Sequence, residues 1–479
     1  MLVRFPGLHR GGGRTQPREC GTAGVAIAVA MLCGFPVLLC GFAAAESPVG
    51  WRQDTSGVFP AASPPSEWTA ESVLWKNAEA GGSNSSAISV GDRVFVCAEP
   101  TRMLCLAADD GRLLWEHSHN YDLVLSESAW QDAQLDLAQA ETIRQGLNEI
   151  REQAGELDQQ LQDKPDDAAL KKRRDSLQAK IDAAERKLEP LEKYRIPERS
   201  AGCTTATPLC DGERVYAVFG TGIVVCYNLE GERQWIRLLD KPALDWGHTA
   251  SPLLAGDSLL VHITALTALD TESGEVRWTA DVLPSYGSPV ACRFGTADAV
   301  LTAAGDGVGL ADGVVLAERI AEPLQRSSPV VADGIAYFVE VTARAVRLPV
   351  DGSPGAMAET LWETKLHEDN YYASPLVREG LVYTVSEGRM LTVLDAASGA
   401  IVYEELLRFD ERGAVVSSLA AAGEYVYVTN EAGATKVLRA GREYDEVAEN
   451  PLAPLRGSLH FADGRLFVRT LEGVYCIGE

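Results

Sequence analysis

Apolar and polar positions alternate with a period of two along most of the chain, in short runs bounded by glycine turns. Arg93-Val94-Phe95-Val96 and Leu381-Val382-Tyr383-Thr384 are typical, rich in the β-branched and aromatic residues that suit a pleated, half-buried strand. The runs recur as a unit. Residues 250–280, 373–405 and 85–117 are the clearest copies, and weaker ones begin near Ala206, Gly287, Ser327, Ser417 and Gly457. Five copies open on Ser or Thr before Pro: Thr207-Pro208, Ser251-Pro252, Ser288-Pro289, Ser328-Pro329 and Ser374-Pro375. A second strand follows, then a third ending in Leu-Asp, as at Leu269-Asp270 and Leu394-Asp395. After a Ser-Gly or Asp-Gly turn comes a fourth strand bearing an aromatic: Trp115, Trp235, Trp278, Trp362 or Tyr403. Four short strands per period is the signature of a propeller blade.

The last copy, 457–479, stops after its third strand, Val474-Tyr475-Cys476-Ile477. Residues Glu71–Lys76 carry an aromatic, Trp75, at the position matching the other fourth strands. The pattern therefore predicts that this N-terminal segment completes the last blade, which closes the ring and leaves no unpaired inner edge. Setting a leader and an insert aside, the chain divides into eight units of about 42 residues, within the range for blades. That count favours an all-β, eight-bladed β-propeller over a seven-bladed ring or an open solenoid. The copy at 287–318 is degenerate and lacks the Trp.

Between residues 126 and 195 the period changes. Ile143, Leu147, Ile150, Ala154, Leu157 and Leu161 step by four and three, and Leu170, Leu177, Ile181, Ala184 and Leu188 keep the phase. This is a heptad seam on two helices, separated at Asp163-Lys164-Pro165-Asp166-Asp167 because Pro cannot continue the first helix. Pro190 ends the second. The first arm is acidic and the second basic, so an inserted antiparallel helical hairpin, a coiled coil closed on itself, is expected rather than a dimer. Its place between a fourth strand and the next first strand makes it a projecting arm: either a partner-binding element or a lid or spacer.

The N-terminus adds an address. Arg4, Arg10, Arg14 and Arg18 precede an uncharged apolar run ending in Ala43-Ala44-Ala45. Residues 1–45 read as an export signal cleaved at that small-residue end, the alternative being a retained membrane anchor. Cys33 and Cys40 each follow Leu, which argues against lipid attachment. The formal net charge is −25, with 43 basic and 68 acidic residues, so nucleic acid is excluded as a partner by repulsion from its phosphates. Seven Cys lie beyond the signal. Cys97 and Cys105 either face each other across a hairpin or are buried unbridged thiols. The domain reading is 1–45 signal, 46–70 leader, 71–125 closing strand plus blade 1, 126–195 hairpin, and 196–479 blades 2–8.

The repeat, Ser-Pro then Gly-Asp-x-Val-Tyr-Val and Leu-x-Ala-Leu-Asp-x-x-Ser-Gly-x-x-x-Trp, resembles that of PQQ-binding-like, or quinoprotein-like, β-propellers. The lead at 51–68 and Val73-Leu74-Trp75-Lys76 are similar to the start of exported planctomycete-type PQQ-like repeat proteins. The propeller subunit of the outer-membrane β-barrel assembly machine and the quinoprotein alcohol dehydrogenases share the superfamily. The resemblance implies that Trp75, Trp115, Trp235, Trp278 and Trp362, with Tyr403 at the same position, pack against the neighbouring blade. It also implies, for the enzymes, adjacent cysteines, an Asn/Asp/Glu metal set and a catalytic Asp. No Cys-Cys pair occurs here. No catalytic, cofactor or metal residue is therefore assigned, and no cofactor is expected, PQQ included. His117 and His119 read as surface polar residues, His248 as a loop histidine, and Asp306 as part of a turn lacking calcium ligands. The expected function is a non-catalytic exported scaffold or adaptor in cell-envelope or outer-membrane protein assembly, periplasmic or extracellular. Its partners would be envelope proteins, met through the hairpin and a propeller face. Membrane contact would come only through an uncleaved N-terminus. The alternatives are a PQQ-dependent dehydrogenase-like enzyme and a glycan- or small-ligand-binding propeller.

Overall fold

A computed structural model describes residues 48–59 and 63–478. Residues 1–45, expected from the sequence to be an export signal, lie outside the described residues. Among the described residues the strands form eight sheets, each an antiparallel four-stranded blade, with one blade joined by a fifth, parallel strand from the leader; seven blades are continuous in sequence. Blade 1 runs Ile88–Ser118, blade 2 Leu209–Leu238, blade 3 Leu253–Ala280, blade 4 Val290–Ala317, blade 5 Val330–Lys365, blade 6 Leu376–Leu406 and blade 7 Ala420–Asn450. Blade 8 is His460–Ile477 completed by Val73–Asn77, with Trp75 opposite Cys476. The first strands of neighbouring blades meet around a central channel, and chain order runs outward from it. The protein is an eight-bladed β-propeller with one helical hairpin.

The core is divided. Eight clusters of buried apolar side chains occupy the eight joints between successive blades, and a ninth lies within the hairpin. Five joints are built alike. The indole N–H of Trp75, Trp115, Trp235, Trp278 and Trp362 donates to the carbonyl of Ala108, Leu229, Thr271, Leu310 and Ala396 in the next blade, at 2.9–3.0 Å. The ring lies flat on that blade's third-to-fourth turn, over Gly111, Gly231, Gly274, Gly313 or Gly399. A Cβ there would sit 2.4–2.6 Å from the indole, and each glycine has φ between +68° and +85°. Glycine is thus required twice over, by contact and by conformation.

A feature of the backbone aims these rings. In all eight blades the fourth strand carries a one-residue bulge immediately before the docking position, for instance at Leu74, Leu114 and Leu361. A bulge bends and over-twists a strand, and here it turns the next side chain toward the neighbour. Blades 4 and 7 keep the bulge although Ala317 and Ala448 stand in the aromatic's place. Their joints use other parts. Blade 5 sends a loop back so that Gly355 N and Ala356 N donate to Leu316 O at 2.8 and 3.1 Å. At the joint of blades 7 and 8, Trp68 from the leader donates to Pro451 O at 3.0 Å. Tyr403 of blade 6 makes an edge contact with Tyr444 at 6.4 Å and has no glycine beneath it. The ring is further clamped where it closes. Arg469 of blade 8, 1% exposed, donates to the carbonyls of Cys97, Gly81 and Ala80 beside blade 1.

The hairpin consists of α1, Glu127–Asp163, and α2, Ala168–Leu191. Ser126 caps α1, and Asp167 caps α2 by accepting from Ala169 N and Leu170 N. Helix α2 runs one residue past Pro190, which has no N–H to give the i→i−4 ladder, so the helix stops almost at once. Leu147, Ala154, Leu157, Leu177, Ile181 and Leu188 are buried between the arms, with Ile143, Ile150, Leu161, Leu170 and Ala184 half-buried. The pairs Arg151–Glu185 and Arg174–Asp158, both 2.7 Å, with Arg144–Glu192 at the base, fix an antiparallel register. At 1.5 Å per residue α1 is about 55 Å long.

Cys97 and Cys105 do not face each other. Cys97 pairs with Met103 and Cys105 with Phe95, because the turn centre falls between Ala98 and Arg102. Both thiols are buried, and burial pushes each up to about 12. Nor are the two histidines surface groups. His119 is wholly buried, its ring nitrogens 2.8 Å from Thr101 O and the Tyr227 hydroxyl, and His117 stacks on Tyr227 at 4.6 Å. His248, in a loop, is also buried.

Trp235→Ala removes both an indole dock and its hydrogen bond, so unfolding in urea should show a loss of about 3–5 kcal/mol. Burial holds His119, His248, His262 and His460 down to about 4 from an ordinary 6.5. They remain neutral when folded but protonate in the unfolded chain below about pH 6.5. Stability should therefore be insensitive to them above pH 7. It should fall by about 1.4 kcal/mol per histidine per pH unit between about pH 6.5 and 4. Replacing His460 by Gln and measuring unfolding against pH should flatten that slope.

Candidate binding site at the channel mouth

Each blade's first and third strands run away from one face of the ring, and its second and fourth run back toward it. The connections from one blade to the next therefore all lie on that face, together with the second-to-third turns. The hairpin belongs to the connection between blades 1 and 2, so it stands on the same face.

The Ser/Thr that opens each repeat lies at the head of the first strand. These residues form a belt around the channel in which a backbone N–H donates to the hydroxyl of the next blade. Ser86 N reaches Thr207 Oγ1 at 3.1 Å, Thr207 N reaches Ser251 Oγ at 3.0 Å, and Ser251 N reaches Ser288 Oγ at 2.9 Å. Ser288 N then reaches Ser328 Oγ at 2.8 Å, Ser328 N reaches Ser374 Oγ at 2.9 Å, and Ser374 N reaches Ser418 Oγ at 3.1 Å. Ser458 N returns to Ser86 Oγ at 2.9 Å, so seven links of eight are made. Proline at the following position suits an extended strand start. Ser86, Ser418 and Ser458 do the same work without it.

The belt lines a cavity of about 470 Å³ that opens on the hairpin face. One side of its mouth is aromatic and cationic. Trp246, 39% exposed, stacks on Tyr286 at 4.8 Å, and the Arg326 guanidinium lies 5.9 Å from the Trp246 ring and 5.4 Å from that of Tyr372. Arg326 Nε is buried and has no hydrogen-bond partner among the described residues. On the other side Arg456 pairs with Glu431 at 3.3 Å, and Glu387 accepts from Asn370 Nδ2 at 2.8 Å. Among the described residues no group of three or more His, Cys, Asp and Glu is placed to hold a metal ion.

The leader floors this cavity. Val49 pairs with Cys210 on the free edge of blade 2, and Val58–Phe59 pair in parallel with Ala421–Ala422 on the free edge of blade 7. Between them the chain crosses the channel through a turn in which Arg52, Gln53 and Thr55 all have positive φ. Trp51 thereby reaches the cavity from below. Arg52 is 2% exposed and donates to Pro375 O at 2.8 Å and Leu419 O at 3.0 Å, tying the turn to blades 6 and 7. Burial lowers its pKa to about 9, against the opposing pull of Asp54. Gly57 makes room for it: a Cβ there would meet the guanidinium at 2.5 Å.

The hairpin is fastened at its root. The Glu99 carboxylate of blade 1 accepts from Cys203 N, Thr204 N and the Thr204 hydroxyl at 2.6–3.1 Å. Tyr121 donates to Thr221 O at 3.0 Å and meets Tyr194 edge-on, while Trp130 packs into the cluster between blades 1 and 2. Sequence reasoning found the repeat Trp residues and the hairpin seam. It missed Arg52, Trp51, Trp246, Tyr286, Arg326 and Tyr372. The last four lie in connections outside the repeat pattern and come together only when blades 3 to 6 stand side by side. The recurring Ser/Thr did carry a signal for the belt.

The fold and belt define a PQQ-like repeat β-propeller. The chain belongs to the family described as outer membrane protein assembly factor BamB, whose model matches residues 193–317 and 311–477. A europium-containing methanol dehydrogenase is 9% identical over 88% of this chain and 89% of its own, with a TM-score of 0.54. The computationally designed Ika8 protein is 10% identical over 85% of this chain and 99% of its own, with a TM-score of 0.52. BamB from Moraxella catarrhalis is 14% identical over 56% of this chain and 82% of its own, with a TM-score of 0.44. At these identities the structural likenesses show the fold alone. A search of the curated proteins finds no match.

The leader floor can be tested through Gly57. Gly57→Val places atoms on the Arg52 guanidinium and strains a φ of +78°, which costs about 1–2 kcal/mol for the backbone alone. Hydrogen exchange of residues 48–59 should quicken at least tenfold, while the central strands of blades 3 to 5 keep their protection.

Proposed function

We propose that this protein is an exported, non-catalytic propeller scaffold that binds other envelope proteins on the face bearing the hairpin. The observation that carries this reading is the hairpin root. An arm held to two blades by Glu99, Tyr121 and Trp130 presents its surface in one orientation, and such pre-ordering lowers the entropic cost of association. Family membership agrees with a role in outer-membrane assembly. Export rests on the basic and apolar N-terminus; no helix among the described residues is long and apolar enough to cross a membrane.

A quinone is left out because the donors do not match those the resemblance calls for. The cavity is lined by no cysteine and no aspartate, and its glutamates Glu387 and Glu431 already have partners in Asn370 and Arg456. No step is assigned to such a group.

Cross-linking in an envelope fraction tests the scaffold. The full chain should give discrete cross-linked species. A chain with 147–189 replaced by a short Gly-Ser linker, which keeps Trp130 and the Arg144–Glu192 base, should lose them while melting as the parent propeller does. Identical products from both chains, or none from either, would overturn the reading. Dye-linked alcohol or sugar oxidation with added PQQ and Ca²⁺ should stay at background; turnover would revive the enzyme alternative.

A further inference from the structure

We propose that the cavity at the channel mouth is a binding site for a short acidic saccharide, whose carboxylate is taken by Arg326 and whose ring faces stack on Trp246 and Tyr372. The inference is independent of the hairpin and of the scaffold reading.

Arg326 is the first reason. Its guanidinium is pinned near two aromatic faces, 5.9 and 5.4 Å from their centres, and it makes no ion pair among the described residues. Its Nε is buried without an acceptor. Elsewhere in this acidic chain arginines at the surface are repeatedly paired: Arg277 has Asp257 and Asp270, Arg344 has Glu322 and Glu363, and Arg456, across the same cavity, has Glu431. A planar fork of N–H donors left open at a cavity mouth matches a carboxylate, which it can grip with two bonds.

The walls are the second reason. Each linked belt hydroxyl accepts a backbone N–H. That leaves its proton to be donated, and these residues line the cavity. The wall is therefore a ring of hydroxyl donors with an aromatic shelf at one side. A sugar meets both demands: many hydroxyl oxygens to accept, and a C–H face that packs on an aromatic ring. A flat aromatic acid would use the shelf and Arg326 but leave most of the belt without partners. A simple anion would use Arg326 and leave the shelf bare. The volume of about 470 Å³ is in the range of small-molecule sites and far above what a lone anion needs. Of the rim glutamates, Glu431 is charge-paired with Arg456, while Glu387 is held by the neutral Asn370 amide and keeps its charge. The overall negative charge acts over distances that salt screens beyond about 8 Å at physiological ionic strength.

The experiment is calorimetric titration of the full chain at 0.15 M salt, with tryptophan fluorescence as a second readout. The probes are tri-galacturonate, the neutral trisaccharide maltotriose, inorganic phosphate and PQQ. Tri-galacturonate should bind and change the fluorescence, and maltotriose should bind at least tenfold more weakly. Arg326→Gln should remove that difference between acid and neutral sugar. Trp246→Ala should abolish binding of both. Both sites are at the cavity rim, so circular dichroism and melting should match the parent. The chain lacking 147–189 should bind tri-galacturonate as the parent does, which separates this site from the hairpin. The proposal is overturned if neither sugar binds, if acid and neutral sugars bind alike, if Arg326→Gln leaves the difference in place, or if phosphate or PQQ binds more tightly than tri-galacturonate.

Discussion

The structure depends on one contact repeated around a ring: an indole lying flat on the glycine turn of the next blade, with its N–H held by that turn's carbonyl. A blade on its own is a twisted four-stranded sheet with two apolar faces, and only its neighbours can cover them. The dock sets how one sheet leans on the next, and the bulge before it aims the ring. Because the step must close on itself, the joints cannot vary independently. Where the indole is absent a different part restores the joint: a returning loop between blades 4 and 5, a tyrosine pair between 6 and 7, and the leader's Trp68 between 7 and 8.

Closure also decides what the N-terminal segment does. Residues 73–77 complete blade 8, so the segment before them must come off the ring near blades 7 and 8. It has done so by way of the channel. From blade 2 it crosses to blade 7, adds a two-residue parallel strand to a free inner edge, and leaves past Trp68. The inner edges of a propeller are otherwise exposed templates for pairing. Here the leader covers part of two of them and brings Trp51 to the cavity wall. The cavity and the hairpin share a face because both belong to the blade-to-blade connections.

Much of this is legible in the residues themselves. The repeat, the borrowed strand at Trp75 and the helical hairpin are all written in local periodicity, since strands and helices impose periods of 2 and about 3.5 that survive without tertiary information. The heptad seam is legible for the same reason: its two arms are joined by four residues, so pairing in sequence is pairing in space. His119 shows the limit. Two histidines flanking a serine look like strand surface, yet the adjoining blade covers them with Tyr227, a residue more than a hundred positions away. Of the two readings of Cys97 and Cys105, buried unbridged thiols is the one the structure takes, because the hairpin turn centres one residue earlier than a facing pair needs.

By itself, then, the sequence determined what repeats: strand number per unit, the docking aromatics, their glycines, the opening Ser/Thr and the heptad arms. Repetition is visible because each copy meets the same local demands. Only the tertiary structure decided what does not repeat. Trp51 and Arg52 in the leader, and Trp246, Tyr286, Arg326 and Tyr372 in four separate connections, have no common period. They converge because the ring brings the blade-to-blade connections around one opening, and a site assembled by long-range closure leaves no local pattern to read.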